Sequence, residues 1–132
     1  MRNHFHLVLS QGPAPFMISQ IMRRVVGPYA LKFNAKHGRT GQLWDGPFRA
    51  RKIDGPIDLL ETIAYVNLNP AEQDRPDDCS HPYYLGSSPP PPWLSIDRAL
   101  AAFSGHVGYS EFTADRERIR SARRRAQGLE WQ

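Results

Sequence analysis

The chain has 132 residues, 40% of them hydrophobic and three of them tryptophan, which is enough for one globular domain and short for two. Its formal charge is +4, and a single cysteine, Cys79, excludes an intramolecular disulfide and fits a reducing compartment, with the cytoplasm as the default. No apolar run approaches the roughly 18 to 20 residues of a membrane-spanning helix, and the first residues lack the basic region and apolar core of a signal peptide, so neither insertion nor export is expected.

Residues 4–9, His-Phe-His-Leu-Val-Leu, alternate and then turn apolar before the turn-forming Ser10-Gln11-Gly12-Pro13, a pattern that predicts a β-strand. Strand side chains alternate with period two, so His4 and His6 would share one face. Residues 16–36 follow with apolar positions at close to helical spacing, interrupted by Gly27-Pro28, which predicts a kink or two helices. Three glycines, one proline and two aromatics make residues 37–48 a structured loop, and residues 49–53 a short strand leaving it. Asp54 is then a cap for a helix over residues 57–68, ended by Pro70.

Taken at about 100° per residue, that helix gathers Leu59, Leu60, Ile63, Ala64 and Val66 on a buried side. Tyr65 and Asn69 lie one turn apart on the other side, beside Glu61 and Thr62. Residues 74–78 read as an acidic turn and the four prolines 89–92 as a stiff spacer. A short amphipathic helix over residues 93–103, with Ser95 as its cap, and an arginine-rich helix or frayed tail over residues 112–132 complete the chain, which holds no internal repeat.

Two chemistries emerge from these elements. His4 and His6 supply imidazole ligands and Asn69 an amide oxygen, a set with open positions that suits Mg²⁺ or Mn²⁺ acting as a Lewis acid on a phosphoryl oxygen. Tyr65, on the helix face of Asn69, is then a nucleophile for the polarised phosphorus. Separately, residues 23–52 hold Arg23, Arg24, Lys32, Lys36, Arg39, Arg49, Arg51 and Lys52 against one acid, Asp45, interleaved with Tyr29, Trp44 and Phe48. Clustered cations with stacking rings form a surface for nucleic acid. Taken singly, each feature also has a bland reading: a structural histidine pair, a rim tyrosine, a solvated basic face. His37, His81 and His106 read as loop residues and Cys79 as a solvated thiol.

Three blocks, Met1-Arg2-Asn3-His4-Phe5-His6-Leu7-Val8-Leu9, His37-Gly38-Arg39-Thr40-Gly41-Gln42-Leu43-Trp44-Asp45-Gly46-Pro47-Phe48-Arg49-Ala50 and Tyr65-Val66-Asn67-Leu68-Asn69-Pro70, together resemble the HUH single-tyrosine transposases. The likeness is to the REP-associated branch of the insertion-sequence-200-like group, and it covers roughly residues 1–70. It implies that His4, His6 and Asn69 bind Mg²⁺ or Mn²⁺, and that Tyr65 cuts single-stranded or hairpin DNA and stays joined to its 5′ phosphate. It gives Arg23, Arg24, Lys32, Lys36, Arg39, Trp44, Arg49, Arg51 and Lys52 the task of holding the strand.

The implied fold class is α+β, a truncated ferredoxin-like antiparallel sheet with helices on one face and a mostly helical C-terminal tail. Relatives carry about fifty residues ahead of the paired-histidine strand, so the N-terminal part of the domain is expected to be missing. The corresponding domains are residues 1–86, a partial transposase domain, and residues 87–132, a proline-rich linker and basic helical tail. The expected function is metal-dependent cleavage and rejoining of DNA. The alternatives are a non-catalytic DNA-binding remnant and a metal-dependent phosphohydrolase that uses water.

Overall fold

The computed structural model describes residues 4–13, 17–70 and 78–126, with the side chains of Arg124 and Ala126 outside the description. Phe16, most of the acidic stretch 74–78 and residues 127–132 of the expected tail also lie outside the described residues. Among the described residues five helices follow in order: α1 (Ile18–Lys36), α2 (Gly55–Leu68), α3 (His81–Tyr84), α4 (Asp97–Ala102) and α5 (Gly105–Ala126). They fall into two compact units, one from Met1–Val8 with Ile53–Gln132 and one from Leu9–Lys52.

The expected α+β class is overturned. Among the described residues every regular element is a helix, and segments 4–9 and 49–53 pair with no strand. A ferredoxin-like sheet would need several paired strands with a common apolar face, and two short alternating segments do not supply one. Instead Leu7 is 50% exposed, and Val8 and Leu9 are exposed beside it. The apolar residues that find a core are those at helical spacing.

That core belongs to the first unit. Ile63 of α2, Tyr84 of α3, Ile96, Ala99 of α4, Phe103 and Tyr109 of α5 are buried together, with Leu59, Leu60, Leu94, Leu100 and Phe112 around them. Tyr109 sits among rings, 4.9 Å from Tyr84, 5.0 Å from Phe103 and 5.5 Å from His81 by centroid. Contacts of this kind each add about 0.5 to 1.5 kcal/mol to the burial itself. Helix α5 packs on α2, α3 and α4, and α2 also meets α4.

Local chemistry explains the helix ends. Asp54 occupies the N-cap of α2, yet its side chain makes no capping bond; its backbone N–H donates to Asp58 Oδ2 at 2.9 Å. The expected cap residue is therefore satisfied by a carboxylate one turn ahead, which is also well placed against the helix dipole. The four prolines end in a turn closed by Leu94 N–H to the Pro91 carbonyl, 2.9 Å, rather than running on as a spacer. Helix α4 starts after Ile96, one residue past the expected cap Ser95. Its link to α5 is tight, with Ser104 at φ 63° and Gly105 at φ 92°.

In the second unit α1 continues through Pro28 as one helix, not two. It ends on a Schellman turn: Gly38 adopts φ 60° and Arg39 N–H donates to the Asn34 carbonyl at 2.9 Å. The glycine-rich loop then folds back, with Asn34 Nδ2 donating to the Gly41 carbonyl (2.9 Å) and the Trp44 indole N–H to the Val26 carbonyl (3.3 Å).

Candidate metal and nucleophile site

Helix α2 presents Tyr65 outward because Ile63, Ala64, Asn67 and Leu68 take the buried positions around it. Tyr65 keeps 48% of its surface exposed. The chain brings His6 to it from fifty-nine positions away, with ring centroids 5.6 Å apart and planes at 68°. His4 adjoins His6 at 5.2 Å, edge to face at 83°. Two of the three expected metal ligands and the expected nucleophile thus stand side by side in one unit.

Asn69 follows Tyr65 by one turn as the C-cap of α2, and its backbone N–H donates to the Tyr65 carbonyl at 3.1 Å. Among the described residues no group of three or more His, Cys, Asp or Glu is placed to hold a metal, so an ion here would rest on two imidazoles and the amide.

The histidine pair fits that demand in two respects. Two imidazoles sharing an ion at about 2.1 Å put their centroids about 4.6 to 5.3 Å apart for ligand angles from right to tetrahedral. The observed 5.2 Å lies inside that range. His6 Nε2 is also buried with no hydrogen-bond partner among the described residues, which is costly for a ring nitrogen unless something else meets it. Burial, reinforced by the neighbouring His4, holds the His6 imidazole below its ordinary pKa and so favours the neutral, ligating form.

Two further groups escaped the sequence reading. Arg120, within the arginine-rich segment, brings its guanidinium to 5.8 Å from the Tyr65 centroid. The spacing Phe112, Arg116, Arg120 on α5 was the available signal, since residues four apart share a helix face. The second group is a buried polar network. Asn67 Nδ2 donates to Tyr109 Oη (3.0 Å), Ser80 Oγ donates to Asn67 Oδ1 (2.6 Å), and His81 Nδ1 lies 2.7 Å from the same Tyr109 oxygen. It ties α2, midway between Tyr65 and Asn69, to α3 and α5. His106, by contrast, hydrogen-bonds the Tyr84 carbonyl through Nδ1 at 2.8 Å.

The expected strand-holding residues all belong to the second unit. Arg23, Arg24, Lys32, Lys36, Arg39, Arg49, Arg51 and Lys52 are exposed. Trp44 is half-buried, 5.8 Å from Tyr29 by centroid, so part of its ring already serves the unit's own packing. Arg39 lies over Phe33 at 5.9 Å.

Comparison with protein families, curated proteins and solved structures found no match. Among the described residues no helix is long and apolar enough to cross a membrane.

Proposed function

We propose that the chain is a DNA strand transferase of the HUH single-tyrosine kind, with Tyr65 as nucleophile and His4, His6 and Asn69 as the metal-binding set. The observation that supports this reading furthest is the meeting of His6 and Tyr65 at 5.6 Å, with His6 Nε2 buried and without a hydrogen-bond partner among the described residues. The three sequence blocks that resemble the family support it from a second direction.

Mg²⁺ or Mn²⁺ bound there would polarise a phosphoryl oxygen as a Lewis acid. The side chains of this protein have the following tasks. Tyr65 Oη attacks the phosphorus of a single-stranded or hairpin phosphodiester; its bond to phosphorus forms as the bond to the 3′ oxygen breaks. The electron pair leaves with that oxygen, which takes a proton from water, and the phenolic proton passes to water. The reverse attack by a 3′ hydroxyl rejoins the strand and frees Tyr65. The α2 backbone and the Asn67 network hold the phenol outward. The exposed cations of the second unit retain the strand through its phosphates.

Those same cations support a second reading, a DNA-binding protein without catalysis. One experiment separates the two. The protein is incubated with a labelled single-stranded hairpin and Mn²⁺, then resolved under denaturing conditions. A covalent adduct that is absent in Tyr65→Phe is the expected result. Salt-sensitive retention of the hairpin with no adduct would select the second reading, and cleavage unchanged in Tyr65→Phe would assign the chemistry to water.

A further inference from the structure

Helix α5 makes two successive contacts with α2. Arg116 pairs with Glu61, and Arg120, one turn on, reaches over Tyr65, itself one turn after Glu61. Arg116 also lies 5.0 Å from the Phe112 centroid, and Phe112 packs against the core. The register that sets Arg120 beside the phenol is thus anchored by an ion pair, a ring contact and the burial of Tyr109 and Thr113 on the same helix. Tyr65 thus meets both His6 and Arg120, and about half of its surface stays exposed.

We propose that Arg120 binds the phosphodiester that Tyr65 attacks, through charge-assisted hydrogen bonds to a non-bridging oxygen. This inference rests on the assignment of Tyr65 as nucleophile. A guanidinium offers planar, paired donors that match a phosphate and stays charged at any working pH. During transfer phosphorus is bonded to both the incoming phenolic and the outgoing 3′ oxygen, and the non-bridging oxygens gain negative charge. A fixed cation at that point stabilises this arrangement more than the resting phosphate. The ring contact sets the guanidinium beside the phenol that attacks the phosphorus. The arginine-rich helix thereby supplies a group to the site.

Two readouts test this on the intact chain. In the first, protein labelled in its tyrosine rings is titrated with a short oligothymidylate and followed by NMR, the Tyr65 resonance being assigned through Tyr65→Phe. The wild type should show a saturable shift at Tyr65. Arg120→Gln should abolish it, Arg120→Lys should weaken it, and the methylphosphonate analogue, which lacks the charged oxygen, should not elicit it from the wild type. A wild-type shift retained in Arg120→Gln, an equal shift from the methylphosphonate, or no shift with the ordinary oligomer would each overturn the proposal, and the analogue decides the matter even if Arg120→Gln fails to fold.

In the second, Arg120→Gln should slow adduct formation roughly a hundredfold, the usual loss for one transition-state donor, while affinity for the hairpin stays near that of the wild type. An unchanged adduct rate would refute the role of Arg120 and leave Tyr65 as nucleophile. No adduct from the wild type, with the Tyr65 shift present and dependent on Arg120, would refute the strand-transfer reading and leave a phosphate site.

Discussion

Tyr109→Phe removes one oxygen from the centre of the first unit, and its cost follows from the partners of that oxygen. Tyr109 is 0% exposed, and burial pushes its phenol well above the ordinary range, so the hydroxyl stays neutral and keeps its proton. It accepts from Asn67 Nδ2 at 3.0 Å and faces His81 Nδ1 at 2.7 Å. Asn67 is 1% exposed, and stripping its partner strands a buried donor, a penalty of about 1 to 3 kcal/mol. His81 is half-buried and can turn to water, so its lost bond costs about 0.5 to 1.5 kcal/mol. The sum is about 1.5 to 4.5 kcal/mol, or a fall in Tm of roughly 6 to 36 °C for a unit of this size. Urea denaturation followed by circular dichroism at matched pH measures it, and the slope with denaturant should not change. Asn67→Leu in the Tyr109→Phe background should cost less than the two substitutions separately, since the buried Asn67 amide is then gone and only the half-buried Ser80 hydroxyl loses its acceptor. A loss below about 1 kcal/mol at unchanged slope would show that this network does not hold α2.

Three other outcomes follow from the same structure. Burial holds His81 below its ordinary pKa against an opposing pull from Glu117, and burial with His4 does the same for His6. A lowered folded-state value means the unfolded chain takes protons first, so stability is full above about pH 6.5 to 7.5, falls as pH drops through the ordinary imidazole value, and levels off below the folded one. His81→Gln should flatten that fall in urea midpoints, and an unchanged slope would remove His81 from the account. Gly108→Ala should destabilise by about 1 to 3 kcal/mol, because a Cβ there overlaps the Phe103 carbonyl oxygen; thermal melts within a degree of wild type would contradict the packing of α5 on that turn. Glu61→Ala should cost less than about 1 kcal/mol, since the pair with Arg116 is 40% exposed on both sides, and a larger loss in the same melts would mean the pair is better shielded than its exposure implies.

Helical periodicity was the legible part of this sequence. The angular reading of α2 put Ile63 and Ala64 inside and Tyr65 outside, as observed, because a helix face is decided by neighbours three and four residues apart. Asn67 was not foreseen inside. Its burial depends on Ser80 and Tyr109, thirteen and forty-two positions away, and local pattern carries no trace of such partners. The strand readings of residues 4–9 and 49–53 failed for a related reason: alternation describes one strand, while a sheet requires partners that the segment itself does not encode. Of the candidate site, His4 and His6 were placed as neighbours through an assumed strand that did not form, and their rings adjoin nonetheless. The position of Arg120 beside Tyr65 was hidden, since an arginine-rich segment carries no local sign of which arginine meets α2 until α5 is packed on it.

The most direct measurement is the position of a covalent nucleotide. After reaction with a single-stranded hairpin and Mn²⁺, nuclease trimming and tryptic digestion, tandem mass spectrometry of the α2 peptide should find a nucleotide phosphate on Tyr65 in the wild type and none in His6→Ala. A nucleotide on any other residue, or an undiminished adduct in His6→Ala, would contradict the pairing of His6 with Tyr65 as the working centre of this protein.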